Sequence, residues 1–294
     1  SGGAIPADVL EMGVAEISSY QGPTEPGDVA GGLMNMGFLD AQIRLSREIL
    51  NRGRASEAMA RAQHRVLAHA LGGRGDWEAA LSSADALRAT ASEPRDLLLP
   101  YQIAAVGFWA GGLRLEEALS RRPSWAGRAF DEQDLAAEVA WLDGLLGLAS
   151  SDEERLTSAQ GRLAATGGRW VQELQRSLDA YELAVMGDTV GAARGLADLE
   201  MWLAEEGLET AVGGAHPFAV GINRLTSARW LLAAGDTLNA RKMLPWYEVV
   251  LPGYLFRLSL ANQMLAPVAR EIRRKLPDAS GAPTTTRSPE RPWP

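Results

Sequence analysis

Apolar residues recur along this chain at the spacing of a single helix face. Trp170, Leu174, Leu178, Tyr181 and Val185 step by 4, 4, 3 and 4 residues and so share one stripe. Leu135, Val139, Leu142 and Leu146 repeat the pattern. So do Phe218, Ile222, Leu225, Ala228 and Leu232, and then Leu258, Ala261, Leu265, Val268, Ile272 and Leu276. No run alternates with period 2, and Ala, Leu, Glu and Arg dominate, all strong helix formers. The pattern predicts helix for well over half the chain and no sheet. Short Gly-containing connections separate the stripes, which makes neighbouring helices antiparallel. The less regular stretches are Gln21 to Gly27 and Gly207 to Pro217, with Pro217 at an expected helix start. Pro100 either opens a helix or kinks one.

Self-comparison adds a recurring Gly-Asp-x-x-x-Ala. It occurs as Gly75-Asp76 with Ala80, as Gly187-Asp188 with Ala192 and as Gly235-Asp236 with Ala240. Gly ends one helix without a side-chain penalty, Asp caps the next by accepting a backbone N–H, and the small Ala lets the two helices cross closely. Weaker copies fall near Gly112, ahead of Leu115–Leu119, and near 150, where Ser151 to Glu154 reads as a capping box. The turns then lie near 75, 112, 150, 187 and 235.

This turn resembles that of tetratricopeptide repeats. Seven residues before each turn glycine the family has a small residue, here Ala68, Ala180 and Ala228. Four before it stands an apolar one, here Leu71, Leu183 and Leu231. Pro252 matches the proline that often closes a repeat. The resemblance implies an all-α fold, a right-handed α-solenoid of antiparallel helical hairpins over residues 55–276. Residues 1–54 are expected to add N-terminal helices that pack on or cap it, and the Pro-, Thr- and Ser-rich residues 277–294 to form a mobile tail. It also implies that first helices line a concave groove. Alignment on the turn glycine then points Arg65 and His69, Ser177 and Tyr181, and Leu225 and Arg229 into that groove, with Gln102 and Trp109 from the weaker copy.

Charge and composition change the picture mainly by exclusion. With 29 Lys and Arg against 37 Asp and Glu the net charge is -8, which argues against a phosphate backbone as partner. There is no cysteine, hence no disulfide, thiolate metal site or thiol nucleophile. His64 and His69 are five apart, on different helix faces, and no metal-binding, nucleotide-binding or nucleophile motif occurs. Arg74-Gly75-Asp76 spells an integrin-binding tripeptide, but the repeated Gly-Asp turn accounts for it better. The acidic clusters Asp131-Glu132 with Asp134, and Asp152-Glu153-Glu154, fall at helix starts, where carboxylates cap N–H groups and complement the dipole.

The expectation is therefore a non-catalytic scaffold or sensor module that binds a protein or peptide, or a small ligand, with no metal or cofactor. It is similar to the repeat regions attached to bacterial kinases and transcription regulators. An all-helical enzyme with an internal pocket and a structural subunit of a larger assembly are the alternatives. No stretch of about 18 apolar residues is present to cross a membrane, and a soluble chain is expected, with the cytoplasm slightly favoured and an extracytoplasmic place the alternative if an upstream signal was removed. The start Ser1-Gly2-Gly3 fits a processed protein or a piece of a longer one.

Overall fold

Twelve helices and no strand form among the residues described by the computed structural model, which are 39–51, 53, 55–91, 93–124, 133–206, 216–244 and 260–276. They are α1 Leu39–Asn51, α2 Glu57–Arg74, α3 Trp77–Arg88, α4 Pro94–Trp109, α5 Leu115–Ser120 and α6 Gln133–Ser150. After these come α7 Glu153–Thr166, α8 Arg169–Val185, α9 Thr189–Glu205, α10 Pro217–Ala233, α11 Thr237–Lys242 and α12 Leu260–Lys275. The expected helices before residue 39, the tail 277–294 and Pro252 lie outside the described residues. The chain divides into two compact units, Ser1–Ala104 with Val250–Met264 and Ala105–Val249 with Leu265–Pro294.

One connection joins α2 to α3, α4 to α5, α6 to α7, α8 to α9 and α10 to α11. At Gly75, Gly187 and Gly235 the backbone is left-handed, with φ of 83, 99 and 83°. The next amide reaches back five residues to a carbonyl: Asp76 to Leu71 at 3.0 Å, Asp188 to Leu183 at 3.0 Å and Asp236 to Leu231 at 2.8 Å. The glycine amide itself reaches back three, which completes the Schellman pairing of the last free carbonyls. Each Asp side chain then accepts the third amide of the following helix, from Ala79, Gly191 and Asn239.

The two weaker copies use the same geometry with different residues. Between α4 and α5 the left-handed residue is Gly111, φ 80°, not Gly112, whose amide instead makes the five-residue bond to Gly107 O at 2.9 Å. Between α6 and α7 it is Ser151, φ 56°, and the cap is Asp152, which accepts from Arg155 N at 2.9 Å. The expected capping box is thereby corrected: Ser151 fills the glycine position and Asp152 the Asp position. Turns fall at 75, 111, 151, 187 and 235.

In the first unit α1, α2 and α3 bury Ile43, Leu45, Leu67, Ala68, Leu81 and Leu87, with a hydrogen-bonded chain from Gln42 through Ser46 to Gln63 joining α1 and α2. In the second unit α6 is the central helix, with thirteen of its eighteen residues buried. Its glycines permit close approach. A Cβ at Gly144 would stand 2.7 Å from Leu178 of α8, and one at Gly147 would stand 3.0 Å from the Leu156 backbone nitrogen of α7. The crossing residues Ala68, Ala180 and Ala228 are all buried, and Ala180 faces Gly195 of α9. Pro217 occupies the first turn of α10, whereas Pro100 lies inside α4.

Ser151 has a side chain in a conformation that glycine adopts without penalty. Ser151→Gly should therefore stabilise the protein by up to about 1 kcal/mol, the unfolded-chain entropy of glycine offsetting part of the relief. Gly235→Ala, which imposes the same left-handed strain anew, should cost on the order of 1 kcal/mol. Urea unfolding of the two variants checks this pair of opposite signs.

Candidate functional site

The residues expected to line a groove form two sets, one in each unit. In the first unit Arg65 of α2 binds Asp96 of α4 through two parallel bonds of 2.8 Å, and the Asp96 carboxylate is buried while the guanidinium is partly exposed. His69, one turn on, is buried and its Nδ1 lies 2.8 Å from the Arg65 carbonyl. Gln102 is buried in α4. An open cleft of about 430 Å³ in this unit is lined instead by Ile43, Arg47, Leu71, Arg74, Gly75 and Asp76.

In the second unit Trp109, Ser177, Tyr181 and Arg229 belong to one connected network. Trp109 Nε1 and the Tyr181 hydroxyl both donate to Thr226 Oγ1, at 3.0 and 3.1 Å. Arg229, one turn from Thr226, lies over the Trp109 ring at 5.2 Å and 3.7 Å from Glu271. Ser177 accepts from Trp141 Nε1 at 2.8 Å, and the Trp141 ring meets Tyr181 edge-on. Trp109, Ser177 and Tyr181 are buried. Of the seven expected groove residues only the two arginines keep substantial exposure, and the rest are engaged by the interior. Leu225, aligned with them, is buried as well.

The sequence reading missed the buried charges of the second unit. Glu138 of α6 accepts the Phe218 and Ala219 amides at the start of α10, at 2.8 and 3.4 Å, and so caps a helix eighty residues away. Asp143, the residue after Leu142 on the same helix, carries no exposed surface. Arg122 binds it at 2.6 and 2.8 Å, Arg162 also binds it, and Arg155 stands at 4.0 Å. Glu200 of α9 pairs with Arg224 of α10 at 2.5 Å. Glu173 of α8 shares a 3.4 Å bond with Asn223. The one sequence signal for these was a carboxylate inside an otherwise apolar stretch, as at Glu138 and Asp143 between Leu135 and Leu148. Among the described residues no group of His, Asp and Glu is arranged to hold a metal ion, and no helix is long and apolar enough to cross a membrane.

A second missed feature lies outside. Leu183, Val185, Met186 and Val190 are exposed around the Gly187–Asp188 turn, Met186 at 71%. Leu238 is exposed to 67% beside the Gly235–Asp236 turn. Val185 has the spacing of the α8 stripe but is the last residue of the helix and is exposed. No family model matches the chain, and no curated protein or solved structure matches it.

Burial pushes the imidazoles of His69 and His216 down to about 4. A histidine that binds fewer protons folded than unfolded contributes stability that is present above its unfolded value near 6.5 and is lost as pH falls through about 4. The urea midpoint should therefore fall across that window, with each histidine accounting for at most about 3 kcal/mol. His216→Phe should reduce the fall. A midpoint that stays level from pH 6.5 to 4 would contradict the burial of both rings.

Proposed function

We propose that this chain is a non-catalytic interaction module, a scaffold or sensor whose hairpins succeed one another as a right-handed solenoid like tetratricopeptide repeats. Its partner is a protein or peptide that presents apolar side chains. The observation that carries the reading is the placement of exposed apolar groups. Six large hydrophobic residues are exposed among the described residues, and five of them, Leu183, Val185, Met186, Val190 and Leu238, stand within four residues of a turn glycine. Hairpin ends are ordinarily polar, and clustered apolar exposure marks contact surfaces. Methionine at the most exposed position suits a surface that adapts to its partner. On this reading the contact is made by the α8–α9 hairpin end.

The enzyme alternative would draw on the buried acids of α6, α8 and α9. Each of those acids is engaged with a backbone amide, a guanidinium or a side-chain amide of the same unit. That favours a structural task for them.

A photo-cross-linking residue placed at 186 or 190 should yield one shared adduct in cells, and the same probe at the exposed polar position Glu154 should not. Met186→Glu with Val190→Glu should remove the partner and leave helicity unchanged. Equal adducts from all three positions, or undiminished capture by the double variant, would defeat the proposal.

A further inference from the structure

Glu173 lies in the second turn of α8 with no exposed surface. Its Oε1 accepts from Asn223 Nδ2 of α10 at 3.4 Å. Its other oxygen, Oε2, and the amide oxygen Asn223 Oδ1 are both buried without a hydrogen-bond partner. An unsatisfied buried acceptor is costly, and here two of them belong to groups that already share one bond. A single proton resolves both. A carboxylic acid at Glu173 donates its O–H to Asn223 Oδ1 while Nδ2–H donates to Oε1, which closes a cyclic acid–amide pair. We propose that Glu173 is protonated in the native protein and that this acid–amide pair is an alkaline-sensitive latch between α8 and α10.

The charged surroundings agree. Glu138 from α6 and Glu200 from α9 face Glu173, as does Arg224 from α10, whose Nε binds Glu200. The buried side chains of α7, Ala159 and Leu163, are apolar. On α8 itself the neighbour is the Tyr181 hydroxyl, which donates to Thr226. Burial first, and then the Glu200 charge, push the Glu173 carboxyl well above the usual carboxylate range. Ionisation would set a third carboxylate against Glu138 and Glu200 and leave Oε2 and Asn223 Oδ1 as two buried acceptors with no donor between them.

The sign follows from the raised value. The folded state holds a proton that the unfolded chain releases, so the contribution is present below the unfolded value and is lost as pH rises through the folded one. This is the opposite limb to that of the buried histidines.

Glu173→Gln can offer Asn223 one donor and one acceptor, as the protonated acid does, with one further N–H, and it cannot ionise. In urea unfolding from about pH 6 to about pH 9 the midpoint of the parent should fall, while that of Glu173→Gln should stay level and exceed the parent's at the alkaline end. Infrared spectroscopy of the intact parent protein should show a protonated-carboxyl C=O stretch at neutral pH that fades on alkalinisation. That band should be missing from the variant. The latch is overturned if the parent shows no such band, or if Glu173→Gln is as pH-dependent as the parent or fails to fold. The infrared titration of the parent decides the protonation independently of any variant.

Discussion

Five hairpins among the described residues depend on closing the end of one helix and opening the next within a few residues. A helix leaves its last carbonyls and the next helix its first amides without partners, and a short turn brings both sets of groups together. The left-handed residue satisfies the carbonyls, and the following Asp satisfies an amide of the next helix. Four of the five turns use that Asp, and the turn at Gly111 manages with Arg114, which makes no side-chain cap. The device fixes where each second helix begins. Small residues on the paired helices, such as Ala180 against Gly195, then let the two pack closely.

Packing many helices of moderate apolarity into the second unit brings polar groups inside. The protein meets the cost by pairing them across helices that are distant in sequence. Glu138 caps α10, Asp143 gathers three guanidiniums, and Glu200 holds Arg224. Such pairs add little net stability against an apolar core, but removing one partner is expensive. Thr226 pairs across helices without charge, since its hydroxyl is the common acceptor for Trp109 and Tyr181.

The helical nature of the chain and the places of its turns were legible in the sequence because they rest on local rules: period, a glycine at φ above zero and an Asp cap. The roles within the turn near 150 were not, because serine rarely takes the left-handed position and Ser151–Glu154 imitates a capping box. Tyr181 offered two conflicting signals. The apolar stripe of α8 places it inward and the alignment on the turn glycine places it in a groove, and the structure follows the stripe. The buried acids escaped because their partners are long-range. Nothing local in Glu138 announces amides eighty residues later, and nothing in Glu173 announces Asn223. The exposed cluster at Gly187 escaped because Leu183 and Val185 have the spacing of core residues, and Leu71 and Leu231, placed like Leu183 before their turn glycines, are buried.

The claim that one turn geometry builds all five hairpins is tested most directly by native-state amide exchange. The amides that reach back five residues are those of Asp76, Gly112, Asp152, Asp188 and Asp236. All five stand at chain reversals, where an amide bonded only to water exchanges fast. If the pairing holds in solution, each should exchange as slowly as the last turn of the helix it closes, Ser151–Asp152 included. Fast exchange at Gly112 and Asp152, with slow exchange at the three Gly-Asp turns, would contradict the account and leave only three hairpins of this kind.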